Sequence, residues 1–339
     1  MMTKDHLIPA SELIAQLDAL TPQQMKAFDV PGASIAVIRQ GRVLWSKTYG
    51  LKHVELGHPA SPGTVFEAAS LSKPIVAYAV VQLCRRGRMA LDAPLSVYLL
   101  QPFVRDDARL QQITARRVLS HCSGLQHWIR AEGEQPAIQF DPGTRFSYSS
   151  LGYQYLQQAI EQATGEPLAA TVQREVLSPL QMAHSSMVWR EDYDIDAAHG
   201  YDEDGRRVEK WKPLEAVAPA SLHTTALDYA RFMIEMLRTD DDDIRQMLQP
   251  QIAANAAVSW GLGWGLETSA AGAAFWHWGD NGSFKAFCLG YRDAGSAVVI
   301  LCNGYNGLKM AEPLVNAALG NGSQPHPHPA FEWLEEFYS

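Results

Sequence analysis

The stretch Phe66-Glu67-Ala68-Ala69-Ser70-Leu71-Ser72-Lys73-Pro74 runs into the apolar residues 75–84, and the rest of the chain is organised around it. It reads as a short extended lead-in, a helix start at Ser70 and a helix that ends near Gly87. Gly87 suits the position after a helix, where a left-handed backbone is common, and Arg85 and Arg86 suit the negative end of the helix dipole. Pro74 is tolerated only in the first turn, whose N–H groups have no partner inside the helix. That places Ser70 at the very beginning, where the dipole helps an oxygen carry negative charge. Ser70 and Lys73 are three residues apart and share one face. Taken alone, Ser-x-x-Lys is also a plain polar helix start, so its meaning depends on the rest of the chain.

Outward from this helix, β character gathers at the two chain ends. Residues 33–39 and 42–49 are β-rich runs around Gln40-Gly41, a hairpin signal. Residues 275–279, 283–291 and 296–302 make three more strands, with Asp293-Ala294-Gly295 as a turn between the last two. Residues 297–302 are apolar throughout, as in a central strand covered on both faces. The fold class is therefore α+β. Two N-terminal and three C-terminal strands predict a five-stranded antiparallel sheet flanked by helices.

The middle of the chain, residues 90–260, reads mainly as helix. A helix over 150–163 closes at Thr164-Gly165, Glu166-Pro167 opens the next, and Thr225 caps another that runs to Leu237. The predicted organisation is a discontinuous sheet domain, residues 1–88 and 262–339, and an inserted helical lobe, residues 89–261, with a cleft between them. Near the N-terminus, residues 11–28 predict one or two amphipathic helices interrupted at Thr21-Pro22. Asp240 to Asp243 reads as a solvated turn, and residues 308–319 as a closing helix. The tail around Pro325-His326-Pro327-His328-Pro329 reads as irregular.

Composition narrows the function. The 339 residues are 47% hydrophobic and 19% charged, as in a globular protein able to bury a real core. A net charge of −9 offers no electrostatic footprint for nucleic acid. Cys84, Cys122, Cys288 and Cys302 are scattered and lack zinc spacing. The histidines show no His-x-x-x-His or His/carboxylate cluster, so no metal is expected. Gly261, Gly263 and Gly265 precede a strand and do not open a helix, so they are not a phosphate loop, and no cofactor is expected. No run reaches membrane-spanning length, and Met1-Met2-Thr3-Lys4-Asp5-His6 leads into a mixed polar pattern. A cytoplasmic protein without a membrane partner is the expectation.

Further motifs accompany Ser70 and Lys73. They are Leu119-Ser120-His121-Cys122-Ser123-Gly124-Leu125, Pro142-Gly143 leading to Phe146-Ser147-Tyr148-Ser149-Ser150-Leu151-Gly152-Tyr153, Gly261-Leu262-Gly263-Trp264, and His277-Trp278-Gly279. Ala218-Pro219-Ala220 fits with them. In this order they resemble the serine β-lactamase and penicillin-binding-protein superfamily, over about residues 30 to 305. The likeness is greatest to its class C β-lactamase-related branch, which includes family VIII esterases, D-aminopeptidases and D,D-carboxypeptidases. The resemblance implies a β-lactamase/transpeptidase-like fold.

It also implies roles. Ser70 would be the acylated nucleophile, because a serine hydroxyl needs something to take its proton. Lys73 and Tyr148 would form the base unit, either being able to take that proton, with the Lys ammonium lowering the phenol pKa. The backbone N–H groups of Ser70 and Asp280 would form an oxyanion hole, typically worth ~10²–10³ in rate. Ser150, His277, Trp278, Gly279 and Asp280 would contact substrate. Of the tryptophans at 128, 211, 260, 264, 276 and 278, Trp278 alone is assigned to the cleft wall, because it adjoins the catalytic strand.

Two positions depart from the family pattern. Ser150 replaces an asparagine amide, and His277 replaces a lysine that supplies a fixed charge for a substrate carboxylate. A histidine is a donor only partly charged near neutral pH. Both changes favour a serine hydrolase of small carboxylic esters or amides, esters first. D-amino-acid peptidase or carboxypeptidase and weak β-lactamase activity follow. A catalytically silent binding or regulatory protein is the reading from another class.

Overall fold

The Gln40-Gly41 turn sets the first strand pairing. The computed structural model describes residues 8–129, 133–269, 272–320 and 327–339. Gln40 and Gly41 both take the left-handed region, with φ of 56° and 67°, as a tight two-residue hairpin requires. They join β1 (Gly32–Arg39) to β2 (Arg42–His53). Then come β3 (His58–Pro59) and β4 (Phe66–Ala69). A small ribbon, β5 (Gly200–Tyr201) with β6 (Arg207–Val208), and β7 (Leu222–Thr224) lie mid-chain. Six strands follow: β8 (Ile252–Ala253), β9 (Val258–Trp260), β10 (Gly265–Ser269), β11 (Gly272–Asp280), β12 (Lys285–Tyr291) and β13 (Ser296–Cys302).

The main sheet runs β3-β2-β1-β13-β12-β11-β10-β9-β8 and is antiparallel throughout. The five strands read from the sequence form its contiguous centre, from β2 to β11. The sheet has nine strands and not five, because four short ones extend its edges. Those four carry little β-branched or alternating signal. Pairing with an existing edge creates them, as where Gly265 to Ser269 zip onto Trp276 to Gly272.

Side-chain alternation on the central strands builds two cores. On β13, Ala297, Val299 and Leu301 face the larger helical core, while Val298, Ile300 and Cys302 face the other. The larger core holds α2 (Ser72–Arg85), α3 (Ala115–Leu119), α4 (Ser150–Thr164), α5 (Leu168–Val172) and α7 (Ala226–Met236). The short α8 (Asp242–Met247) adds Ile244 and Met247 to the same core, while α6 (Tyr193–Asp196) packs in a small separate cluster with Val65 and Ala197. The second core holds α1 (Ala10–Ala27), α9 (Ala311–Leu319) and α10 (Pro329–Tyr338).

Three local expectations are corrected. α1 is one helix with Pro22 inside it. The carbonyl of Asp18 forgoes its usual donor there, and burial of Leu13, Leu17, Thr21 and Met25 outweighs the loss. The acidic run 240–243 is not a solvated turn: Asp241 caps α8 by accepting the N–H groups of Asp243 and Ile244. The proline-rich tail is not irregular throughout, since Pro329 opens α10, a position proline favours. His328 is buried and bonds Glu267 through Nδ1 at 2.9 Å, while His326 lies outside the described residues, as does the polar N-terminal segment 1–6. Among the described residues, no helix is long and apolar enough to cross a membrane.

Candidate active site

Ser70 sits in a turn between β4 and α2. The preceding Ala69 has φ 49°, an uncommon value for a residue with a Cβ and of a kind that clusters at functional sites. The helix begins at Ser72, two residues later than expected, because the left-handed Ala69 and a Leu71 N–H to Ala68 O bond first close a separate turn. Ser72 anchors it by donating to Ala69 O at 2.6 Å and accepting the Leu222 N–H at 2.9 Å. The end of β11 passes close by. A Cβ on Gly279 would stand 2.3 Å from Ala68 O, so only glycine lets the two backbones approach.

Lys73 is wholly buried. Its Nζ donates to Ser70 Oγ at 2.9 Å and to Pro219 O at 3.0 Å. It also lies 4.8 Å from the centre of the Tyr148 ring and 5.6 Å from that of Tyr153. Among the described residues no carboxylate pairs with it, and burial holds its amine well below the ordinary lysine pKa. Tyr148 is also buried, and its phenol oxygen lies by the Ser70 side chain without a hydrogen bond of ordinary geometry among the described residues. Burial pushes the phenol up, opposed only by the Ser70 side chain. The expected lowering by a lysine ammonium is therefore absent, since desolvation dominates both groups.

His277 differs from its sequence reading as well. Its Nδ1–H donates to Trp278 O at 2.7 Å, which leaves Nε2 as a buried acceptor with no hydrogen-bond partner among the described residues. Burial is the main cause that pulls its pKa down to about 3. It is neutral at physiological pH and offers no positive charge. His121 lies 4.2 Å from the Tyr148 ring centre and accepts the Ser149 N–H at 3.0 Å through Nδ1. Burial holds it well below the usual histidine range. Ser150 opens α4, and its N–H reaches His127 Nδ1 at 3.3 Å. The cap of α4 is Ser149, whose Oγ accepts the Gly152 N–H at 2.9 Å.

Trp278 is buried, 4.8 Å from the Tyr148 ring centre, and its Nε1 donates to Tyr338 Oη at 3.0 Å. The Asp280 carboxylate accepts from Lys285, from the Gly282 N–H at 2.7 Å and from Tyr338 Oη at 2.8 Å. Beside the segment that carries Ser70 lies a cavity of 450 Å³ lined by Glu67, Trp128, Trp211, Val217, Ala220 and Asn281. Asn281 donates to Glu67 at 2.8 Å, and burial raises the Glu67 carboxyl to about 7. Ser70, Lys73 and Tyr148 thus form one group, with Gly279 and His277 at its edge. The sequence assigned no role to Pro219, His121, Tyr153 or Trp260. All four belong to the motifs quoted above or adjoin them, and that proximity was the available signal. His127 carried none.

The chain matches the family model described as Beta-lactamase over residues 17–319. It is 33% identical over 211 residues to Esterase EstB of Burkholderia gladioli, covering 53% of this chain and 53% of that protein. It is 24% identical over 313 residues to Protein flp of Staphylococcus aureus strain MRSA252, covering 85% of this chain and 62% of that one. The chain thus spans little more than half the length of these curated relatives. Two solved structures share its fold. The octameric penicillin-binding protein homologue of Pyrococcus abyssi matches with a TM-score of 0.80 at 22% identity, covering 92% of this chain and 78% of that one. A class C beta-lactamase matches with a TM-score of 0.81 at 19% identity, covering 94% and 98%. With a β-lactamase/transpeptidase fold and a family model matched over most of its length, the chain belongs to the Beta-lactamase family.

Proposed function

We propose that this protein is a serine hydrolase that cleaves small carboxylic esters through an acyl-enzyme on Ser70. The observation that carries it is Lys73: a buried amine, without a carboxylate partner, 2.9 Å from Ser70 Oγ. Desolvation favours the free amine, which makes Lys73 the base. Its nitrogen takes the Ser70 proton as Oγ bonds the substrate carbonyl carbon. The N–H groups of Ser70 and Asp280 hold the developing oxyanion. Tyr148, protonated because it is buried, passes its proton to the departing alcohol oxygen and recovers one from the Lys73 ammonium. Water then attacks the acyl carbon, Lys73 takes its proton, and Ser70 leaves with that proton restored.

Ser150, His277, Trp278 and Gly279 border the substrate in this reading. In this reading the cleft lies between the sheet part, residues 1–88 and 262–339 joined by β8 and β9, and the rest of residues 89–261, which holds helices and the short β5 to β7. The neutral His277 supports esters over β-lactams and peptides, since it offers no fixed charge for a substrate carboxylate. The match to Esterase EstB supports the same choice. Intact-protein mass after brief exposure to a fluorophosphonate, a nitrophenyl ester and a penicillin tests it, with Ser70→Ala alongside. The expected result is a fluorophosphonate adduct on the wild type alone, and an ester adduct that forms and then leaves. A stable penicillin adduct with no ester turnover would favour the penicillin-binding reading. No adduct from any reagent would favour a silent binding protein.

A further inference from the structure

The C-terminal helix α10 reaches the candidate site. Its first turn is pinned by a buried carboxylate: Glu267 bonds His328 Nδ1 at 2.9 Å and accepts the Ala330 N–H at 2.8 Å. From there one face lies along the aromatic floor of the sheet. Trp333 packs on Trp278 with ring centres 5.1 Å apart. One turn later, Phe337 lies 5.6 Å from the Tyr148 ring centre and 5.1 Å from that of Trp278. Tyr338 Oη joins Trp278 Nε1 to the Asp280 carboxylate. Phe337 and Tyr338 remain 37% and 51% exposed, so each ring has one edge on the site and another in solvent.

The surroundings of Ser70 therefore differ in what lines them. The Glu67 side opens into the 450 Å³ cavity, and no residue of α10 lines it. The Tyr148 side is covered by the last turn of α10. In the mechanism above Tyr148 protonates the departing oxygen, so whatever packs on Tyr148 borders the leaving group.

We propose that Phe337 and Tyr338 form the leaving-group wall of the site and restrict it to esters of small, unbranched alcohols or slim, flat phenols. This rests on the hydrolase reading. Tyr338, tied to Asp280, is in addition a positioning residue for the strand end that carries the proposed oxyanion donor.

The test measures kcat/KM for phenyl acetate, 4-tert-butylphenyl acetate and phenyl butyrate with wild type, Phe337→Ala and Phe337→Leu. The first two esters differ in leaving-group bulk, and the first and third in acyl length. Phe337→Ala is expected to raise the tert-butylphenyl to phenyl ratio by about 10-fold, the scale of a pocket contact of this size, with Phe337→Leu between. The butyrate to acetate ratio stays within about twofold, because α10 does not reach the cavity. A merely structural role would lower all three rates together and leave both ratios unchanged, which would overturn the inference. Hydrolysis without the leaving-group effect would overturn it while sparing the hydrolase reading. No turnover of any ester by the wild type would overturn both.

Discussion

An amine buried without a carboxylate opposite it is costly to charge. Lys73 is that amine, and its proton equilibrium governs the chemistry proposed for Ser70. A lowered pKa means the free base predominates above it, so kcat/KM should rise with pH and reach its plateau well below the usual lysine value. Replacing Lys73 by Met should lower kcat by about 10²–10⁴ and remove that ascending limb, read from an initial-rate pH profile of ester hydrolysis. An unchanged profile would move the base elsewhere. His277, pulled down to about 3, should contribute no limb between pH 5 and 8. The identities of Ser70, Lys73 and Tyr148 were legible because their motifs are local. The ionisation of Lys73, Tyr148 and His277 was not. It depends on how completely each is desolvated, and burial is a property of the packed molecule.

The approach of β11 to β4 brings the candidate oxyanion strand to Ser70. Ala on Gly279 would drive a methyl group into Ala68 O and against the Ala69 Cβ. Gly279→Ala should therefore cost about 1–3 kcal/mol of stability, by forcing the two strands apart. It should also slow acylation of Ser70 at least about 10-fold, as one oxyanion donor moves off target. Thermal melting and the rate of fluorophosphonate labelling measure the two effects. Labelling at the wild-type rate would mean that β11 supplies no donor. At this scale the hairpin, the apolar β13 and the Thr225 cap were readable, because turn chemistry and periodicity act over a few residues. The unbroken α1, the cap at Asp241 and the edge strands β8 to β10 were not. Each depends on a partner distant in sequence or on an apolar face that outweighs a local preference.

Across the whole molecule, buried histidines make stability depend on pH. His121 lies well below its usual value, His277 near 3 and His223 near 4, in each case mainly through burial. Below about pH 6.5 the unfolded chain binds protons that these folded residues refuse, so stability falls as pH drops. Glu67, raised to about 7, acts in the opposite sense between about pH 4.5 and 7, because the folded form then holds the extra proton. His199, also lowered to about 4, joins them, so the histidines outnumber the one raised carboxyl and stability falls as pH drops below about 6.5. The melting temperature should fall as pH drops below about 6. A flat calorimetric profile down to pH 4.5 would contradict neutral buried histidines. The sequence by itself determined the α+β class, the five central strands and the local motifs that carry Ser70, Lys73 and Tyr148, because periodicity, turn chemistry and short motifs are written along the chain. The tertiary structure alone decided that Lys73 is a desolvated amine, that His277 is neutral, and that a helix from the far end of the chain rests on Tyr148. Those facts arise from which surfaces meet and exclude water, and no local stretch of sequence specifies that.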